Sequence, residues 1–273
     1  MNTFDENLFR QTYDAIAHSY RKHLPAGSAL NPHPALEPEP YEACLAAERH
    51  RQYWKPDIVK FALVAESHVY TDMDDLKIKI RTDRLPREAS GAPDQYVRLI
   101  YCLGYGEPAL LTESPKCPNR GTPYFWQLFA QCAGMGTPGM LSLQQKVEIL
   151  LTMKQRGIWL ADASIHACMN PRFKGRGKAL DKRHNIEWFR ELYMRVLHAS
   201  WKYVRRSLSD GVHVWIVGKM VRDYLPADDL IDMDKWIYQP GAPLTTEEMR
   251  TTQQRQMKRL LEELTAVTGI AYN

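Results

Sequence analysis

A glutamate, a serine and a histidine follow one another in the stretch LVAESHVYTD, residues 63–72, directly after an apolar run. Glu66 is a residue type that can steady a cation or deprotonate a water molecule, and His68 can exchange a proton near neutral pH. The simpler alternatives are that Glu66 caps a neighbouring helix and that His68 only packs and forms hydrogen bonds. The preceding FALVA is typical of a buried strand, so we expect these polar residues at the carboxyl end of that strand.

Three other apolar runs of the chain also end in polar residues. IWLADAS reaches Asp162, VWIVGK reaches Lys219, and WIYQPG reaches Gln239. In an open parallel sheet the ligand site lies at the carboxyl ends of the strands, so we expect these side chains near Glu66. Ordinary structural roles remain open: Asp162 could cap the loop that follows it, and Lys219 could point into water.

A basic segment follows the second of these runs. The stretch PRFKGRGKALDKRH, residues 171–184, holds six Lys or Arg residues against one Asp, together with two glycines. Such a segment can lie close to a phosphate chain, because the cations attract it and the glycines leave room for the approach. The candidate phosphate contacts are Arg172, Lys174, Arg176 and Lys178. A solvated flexible loop is the alternative.

Helix and strand patterns alternate along most of the chain. The predicted helices are 4–23, 40–52, 124–134, 142–157, 185–209 and 245–267, and the predicted strands are 60–67, 158–165, 212–219 and 234–241. The stretch DQYVRLIYCLG, residues 94–104, fits a helix or a strand. Ser142 is predicted to cap one helix and Gly157 to end it, and TTEE at 245–248 resembles a capping box. This alternation predicts an α/β fold of three layers, α/β/α, around a mostly parallel sheet.

Composition predicts a single domain of ordinary size. The 273 residues are 44% hydrophobic and 25% charged, which suffices for one core. The single domain is expected to span residues 1–273, with residues 1–54 as its N-terminal helical and proline-rich extension. The chain has no apolar run of about 18 residues and its N-terminus is polar, which favours a cytoplasmic protein without a membrane partner. A monomer is the default expectation. The net charge of +4 is compatible with a polyanionic partner and with many metabolic enzymes.

The five cysteines are scattered along the chain. They form no Cys-x-x-Cys pair and no Cys/His cluster at zinc spacing, a pattern that favours reduced, mostly buried thiols. The sequence therefore predicts no metal site and no cofactor.

Five of these segments, in chain order, resemble motifs of the uracil-DNA glycosylase superfamily. LVAESHV resembles the strand and turn of its first motif, and GTPYFWQLFAQCAG is similar to the aromatic helix of the mismatch-specific branch. RGIWLADAS resembles the strand that ends in a base-reading residue, VWIVGKMV the Leu-Gly-Lys strand, and IYQPGAPLT the final loop. The resemblance covers roughly residues 55–265 and implies a uracil-DNA glycosylase-like fold with DNA as the partner. The four-cysteine iron-sulfur pattern of some branches is absent from this sequence.

The resemblance implies catalytic positions at the end of the first strand. Glu66 would steady the cationic sugar that forms when an N-glycosidic bond breaks, and would orient or deprotonate the attacking water. Ser67 stands where the best-known branch has a water-activating Asp, so Glu66 must carry the charge. His68 would stabilise the departing base. The first motif lacks the superfamily's usual glycine and proline, so activity could be altered or lost.

Base recognition would fall to residues of the next two motifs. Asp162 stands where uracil-specific relatives have Asn, and a carboxylate accepts the N4 amino group of cytosine but repels O4 of uracil. We expect burial to raise the pKa of Asp162 and to favour sharing of a proton with the base. Phe125, or Tyr124 in its place, would stack on the extruded base, and Val69 would leave space at its C5 position. The aromatic run could equally be plain core.

Contacts with the rest of the DNA would come from the last two motifs. Gln239 replaces the usual His or Asn and would hold a phosphate or the O2 atom of the base. Leu244 would wedge into the gap left in the base stack, and Lys219 would contact a phosphate. The basic segment would grip phosphate or wrap a large C5 substituent.

These features predict a monofunctional DNA glycosylase that hydrolyses the glycosidic bond of an extruded pyrimidine and leaves an abasic site. Excision of ordinary cytosine would destroy the genome, so a cytosine reader must demand a further feature, and a C5 modification is the economical choice. Such specificity fits defence against phages with modified DNA. Repair of uracil or mismatched thymine is the nearest alternative. A catalytically silent nucleic-acid-binding module and a metabolic α/β enzyme are the others.

Overall fold

The computed structural model describes residues 4–23, 38–117, 119–136, 139–168 and 187–269. Its helices are α1 (Glu6–His23), α2 (Tyr41–Trp54), α3 (Pro123–Cys132), α4 (Leu143–Arg156), α5 (Glu187–Arg205), α6 (Lys219–Tyr224) and α7 (Glu247–Thr268). Its strands are β1 (Phe61–Ala65), β2 (Ile158–Asp162), β3 (His213–Val217) and β4 (Trp236–Ile237). Each of the six helices and four strands assigned from the sequence is therefore present, and α6 is added to them.

The four strands form one parallel sheet in the order β2-β1-β3-β4. Every residue of β1, β2 and β4 is buried, which is typical of a parallel sheet whose faces are both covered. Ala65 at the end of β1 pairs with Asp162 at the end of β2, and Val217 at the end of β3 pairs with Ile237 of β4. The carboxyl ends of the strands therefore meet at one edge of the sheet, as the sequence predicts.

Helices pack against the sheet in two groups. In one group α4 contacts β2, α7 contacts β1 and β4, and α3 contacts both of these helices. In the other group α1 packs on α5, α5 contacts α6, and α6 contacts β3 and β4. The predicted α/β class and the parallel sheet are confirmed, and the helix groups are compatible with three layers. None of the helices in the described ranges has the length and apolar character needed to cross a membrane.

The N-terminal residues share one hydrophobic core with the sheet. Phe9 and Ile16 of α1 are fully buried, and α1 packs along α5. Helix α2 buries Cys44 together with two charged residues, Glu48 and Arg51. The segment predicted as an N-terminal extension therefore supplies part of the domain's interior.

The helix termini follow the local sequence as predicted for α4 and differ by one residue for α7. Ser142 Oγ accepts a hydrogen bond from the amide of Gln145 at 3.3 Å, the Gln145 side chain bonds back to the amide of Ser142, and Gly157 ends the helix with φ at 80°. At α7 the cap is Thr246, which accepts from the amide of Met249 at 3.2 Å. The capping box expected over residues 245–248 is not the arrangement that forms.

Residues 94–104 form neither a helix nor a strand, so the prediction of one or the other is wrong. Long-range hydrogen bonds hold this backbone: the amide of Tyr96 donates to the carbonyl of Ile78 at 3.1 Å, and the amide of Val69 donates to the carbonyl of Arg98 at 3.0 Å. The apolar residues of the stretch are buried because the loop crosses the core. Hydrophobicity over a short window reports burial without fixing the backbone conformation.

Candidate active site

A pocket opens at the carboxyl ends of the strands. Seven of the residues predicted to act in the site line it: Glu66, Ser67, His68, Val69, Phe125, Asp162 and Gln239. The rest of its wall comes from Ala65, Arg98, Leu99, Ile100, Thr122, Leu160 and Val217. The sheet and α3 therefore bring together residues from four separate motifs.

The other predicted site residues lie outside this pocket wall or outside the described chain. Tyr124 is exposed and its ring packs against Gly241, Lys219 is exposed at the first residue of α6, and Leu244 is half-buried in the loop after β4. The four basic residues predicted to contact phosphate, Arg172, Lys174, Arg176 and Lys178, lie outside the described residues.

Glu66 and Ser67 are oriented by contacts with other parts of the chain. Glu66 is half-buried, and its Oε1 accepts a hydrogen bond from the hydroxyl of Tyr193 on α5 at 2.7 Å. Ser67 Oγ donates to the carbonyl of His68 at 3.0 Å and accepts from the amide of Cys168 at 2.9 Å. Ser67 therefore joins the loop after β1 to the loop after β2. Glu66 makes no ion pair with any described residue, so its carboxylate is the one suited to take a proton from water.

His68 is buried against the carboxylate of Glu39. Its Nε2 lies 2.7 Å from Oε2 of Glu39, and its Nδ1 lies 3.7 Å from Oδ2 of Asp162. Burial disfavours a charged imidazole, but the Glu39 carboxylate and the nearby Asp162 outweigh burial and raise the pKa of His68 to about 9. In turn, His68 holds the pKa of Glu39 below its ordinary value against the opposing effect of burial. His68 is therefore a cation at neutral pH, and its Nε2–H donates to Glu39.

Glu39 is a point where three segments of the chain meet. Its Oε1 accepts from the amide of Thr71 at 2.8 Å, and its Oε2 accepts from the amide of Ala167 at 3.0 Å. The thiol of Cys44 on α2 also donates to Oε2, and the backbone amide of Glu39 donates to Nε2 of His166. A buried carboxylate with this many donors keeps its lone pairs satisfied, which offsets its removal from water. Glu39 therefore fixes the loops after β1 and β2 relative to α2.

Asp162, at the end of β2, is paired with Arg51 from α2. Its Oδ2 accepts from Nη2 of Arg51 at 2.6 Å, and each side chain is only 4% exposed. Burial alone would raise the pKa of Asp162, but the charges of Arg51 and His68 outweigh burial and hold that pKa below its ordinary value. The prediction that burial raises the pKa of Asp162 is therefore wrong, and the expected sharing of a proton with the base loses the support of that raised pKa. Asp162 is ionised and can only accept hydrogen bonds.

Arg51 is held on its other side by a second carboxylate. Its Nη1 donates to Glu48, one turn earlier on α2, and Glu48 Oε1 accepts from the hydroxyl of Tyr203 on α5 at 3.0 Å. Burial disfavours the charge of Arg51, but Asp162 and Glu48 outweigh burial and raise its pKa. The guanidinium is therefore charged and fixed in direction, with α5 supporting it from behind.

Three ligand-type side chains of the described chain, Glu39, Cys44 and His68, place one atom each within 4.8 Å of one another. Thiolate is the form of cysteine that binds metals. Here burial, reinforced by the charge of Glu39, raises the pKa of Cys44 well above its ordinary value. The thiol therefore stays protonated and donates a hydrogen bond to Oε2 of Glu39 at 3.4 Å. We therefore interpret the three residues as a hydrogen-bonded cluster.

The remaining pocket wall is apolar or carries no charge toward the cavity. Phe125 is half-buried in the first turn of α3, Val69 is half-buried after β1, and Gln239 is exposed after β4. The side chain of Arg98 is only 2% exposed, and its guanidinium pairs with Asp75 at 2.7 Å. A ring and a branched aliphatic side chain beside a carboxylate suit a planar ligand with a hydrogen-bonding edge.

Sequence reasoning missed Glu39, Glu48 and Arg51, which all lie in the segment treated as an extension. One signal could have found two of them. Cys44, Ala47, Glu48 and Arg51 follow the i, i+3, i+4, i+7 spacing of one helix face, so the acidic and basic residues share a face with small buried ones. A charged pair on such a face indicates a buried ion pair. No comparable local signal marks Glu39, which stands among prolines.

Comparison of the chain with protein-family models, with curated protein sequences and with solved structures found no match.

Proposed function

We propose that the protein is a monofunctional DNA glycosylase of uracil-DNA glycosylase-like fold, which acts on cytoplasmic DNA as a monomer. Its preferred target is a C5-modified cytosine. The observation that carries this proposal is a pair of carboxylates with different environments on one pocket wall. Asp162 is ionised and buried, whereas Glu66 is half-buried and makes no ion pair among the described residues. The first suits the amino group of cytosine, and the second suits a water molecule.

In this proposal an extruded base stacks on Phe125 and presents its amino edge to Asp162. Glu66 takes a proton from a water molecule as the water oxygen bonds to C1′ of the sugar. The bond between C1′ and the base nitrogen breaks, its electron pair leaves with the base, and the base then takes a proton from solvent. His68 lines the pocket as a cation and offsets part of the negative charge that develops on the departing base.

The proposal is tested with otherwise identical oligonucleotides, duplex and single-stranded, that carry one cytosine, 5-hydroxymethylcytosine, glucosylated 5-hydroxymethylcytosine, uracil or G·T mismatch. Alkali reveals each abasic site. We expect cleavage at a modified cytosine, and Glu66→Gln should lower the rate roughly 10² to 10⁴-fold. Glu42→Gln, an exposed glutamate on α2, is the control. Cleavage confined to uracil would retain the glycosylase and overturn the cytosine preference.

One observation favours a catalytically silent nucleic-acid-binding module instead. The hydroxyl of Ser67, which stands at the position of the water-activating residue in the resemblance, is engaged as donor and acceptor within the protein. If wild-type protein binds each oligonucleotide but forms no abasic site, and Glu66→Ala binds equally well, the binding module is the correct function.

A further inference from the structure

Asp162 faces the pocket at the end of β2 as a hydrogen-bond acceptor. It is held by Arg51, a cation that lies outside the predicted motifs. Both contacts of Asp162 with described charged groups use Oδ2, at 2.6 Å to Nη2 of Arg51 and 3.7 Å to Nδ1 of His68. Only the first distance is that of a hydrogen bond. Arg51 is therefore the group that sets the direction of this carboxylate, and Oδ1 is left as the acceptor for a ligand.

Arg51 cannot swing away from Asp162 without breaking a second buried contact. Glu48 binds the other end of the guanidinium, and Tyr203 on α5 binds Glu48. Nε of Arg51 is buried without a hydrogen-bond partner among the described residues. Burial of the cation in this place therefore costs one hydrogen bond, the one that Nε would make with water. Replacing buried ion pairs by apolar residues often stabilises a protein, which points to a purpose other than stability.

We propose that Arg51 is a positioning residue that determines the class of ligand: by holding Asp162 as a charged acceptor, it restricts the pocket to a base edge that offers an amino donor. The identification of that ligand as a DNA base rests on the proposed function. A neutral carboxyl group could also donate a hydrogen bond to a carbonyl oxygen, and the pocket would then bind the carbonyl edge of uracil as well. Arg51 excludes this second mode.

Two charged groups contact Asp162 directly, Arg51 on α2 and His68 after β1. Further titratable groups lie behind these two or on the same pocket wall: Glu48 on α2, Glu39 before α2, His166 after β2, Tyr101 in the 94–104 loop and Glu66 after β1. The charge of His68 is shared with Glu39, with which it makes its hydrogen bond. Removal of Arg51 therefore leaves Asp162 with one cation at a longer distance, and the carboxyl group should take up a proton more readily.

The first measurement uses no DNA. Carbon-13 NMR of aspartate carboxyl groups, with the Asp162 signal assigned by Asp162→Asn, follows protonation between pH 4 and 8. Arg51→Gln alone leaves Glu48 unpaired and can fail to fold, so the main variant is Arg51→Gln with Glu48→Gln. We expect Asp162 to stay ionised throughout in the wild type and its titration midpoint to rise by about one to three pH units in the double variant. Arg51→Lys should largely retain the wild-type behaviour.

The second measurement is selectivity, as the ratio of abasic-site formation at uracil to that at 5-hydroxymethylcytosine. In the wild type this ratio should stay low and independent of pH from 5.5 to 8. In the double variant it should rise roughly tenfold or more as the pH falls, because the protonated Asp162 then donates to a carbonyl. Arg49→Gln is the matched control, since Arg49 lies on the same helix with a side chain that is 53% exposed.

Two results would overturn the inference. One is an Asp162 signal that titrates in the wild type between pH 4 and 8. The other is an unchanged selectivity ratio in a double variant whose Asp162 has taken up a proton. If no variant forms abasic sites, the proposed function fails separately, and binding of free cytosine and free uracil, followed on the Asp162 signal, decides the inference. Perturbation by cytosine alone would support it, and equal or absent perturbation by both would reject it.

Discussion

Two buried histidines contact the same glutamate, yet one is charged and the other is neutral. His68, after β1, donates from Nε2 to the carboxylate of Glu39 at 2.7 Å, and its pKa is raised to about 9. His166, after β2, accepts at Nε2 from the backbone amide of Glu39, and its Nδ1 lies 3.3 Å from the hydroxyl of Tyr20 on α1. Burial lowers the pKa of His166 to about 4, against the attraction of Glu39. His68 is thus a cation and His166 a neutral ring.

The comparison shows that burial alone does not decide the charge of a histidine. Both rings are almost completely buried, yet one meets the carboxylate end of Glu39 and the other meets its amide. A carboxylate acceptor stabilises the protonated ring, whereas an N–H donor needs an unprotonated nitrogen. The positive charge therefore lies on the side of Asp162 and the pocket, and the neutral ring lies on the side of α1.

Glu39→Gln should remove the charge difference between His68 and His166, and it has the largest expected effect on stability. Without the carboxylate, the pKa of His68 should fall below 6.5 toward that of His166. The free energy of unfolding should drop by about 3 kcal/mol, as when one partner of a buried ion pair is removed. Urea denaturation measures the stability, and NMR of the imidazole nitrogens measures the pKa.

The matched control for that variant is Glu263→Gln. It removes a His–carboxylate pair with His213, whose side chain is 41% exposed and which lies at the opposite end of the sheet, together with a pair to Lys235, whose side chain is 27% exposed. A half-exposed pair should cost about 1 kcal/mol or less. A His68 pKa that is the same in Glu39→Gln as in the wild type would show that Glu39 is not the cause of its charge.

The two histidines should also make the free energy of unfolding depend on pH in two ranges. His68 should cause an alkaline limb, in which stability falls as the pH rises, and His166 an acid limb, in which stability falls as the pH drops. Between pH 6.5 and about 9 the folded chain keeps a proton on His68 that the unfolded chain has lost, so stability falls as the pH rises through this range. Between pH 6.5 and about 4 the unfolded chain binds protons on His166 and His50 that the folded chain excludes, so stability falls as the pH drops.

We therefore expect maximal stability near pH 6.5, with a loss on the order of 2 kcal/mol on the alkaline side. Urea denaturation at half-unit intervals from pH 5 to 9 measures both limbs. In Glu39→Gln the alkaline limb should shrink to the part that the buried cysteines contribute, and the acid limb should deepen, because His68 then also excludes a proton from the folded chain. An alkaline limb of full size in that variant would contradict the assignment to His68.

Of the two histidine-site variants, His166→Phe should lower the free energy of unfolding least. It tests the comparison by altering the neutral histidine. The variant leaves the amide of Glu39 without its acceptor, which should lower the free energy of unfolding by about 1 to 2 kcal/mol. His68 should remain a cation, because its carboxylate partner is unchanged. Imidazole NMR of His68 in this variant checks the expectation, and loss of the His68 charge would show that the two rings are coupled more tightly than their contacts with Glu39 indicate.

Local patterns predicted much of this fold. The apolar runs at β1, β2 and β3 have the length and composition of buried parallel strands, and the residues just past them reach a common edge because parallel strands end together. The same patterns failed over residues 94–104, where the apolar residues belong to a buried loop. Periodicity was a weaker guide there because long-range backbone hydrogen bonds hold the chain in place of the regular local bonds of a helix.

The sequence by itself determined the strands, most helices, the cap and end of α4, and the polar residues at the strand ends, because these depend on side chains a few positions apart. Only the tertiary structure decided the charges in the site. Arg51 and Asp162 are separated by 111 positions, and Glu39 and Ala167 by 128. Whether a buried carboxyl group is ionised depends on a cation within a few ångströms, since attraction must offset the loss of water. That distance is set by the placement of Arg51 of α2 beside the end of β2, which no local stretch of the chain encodes.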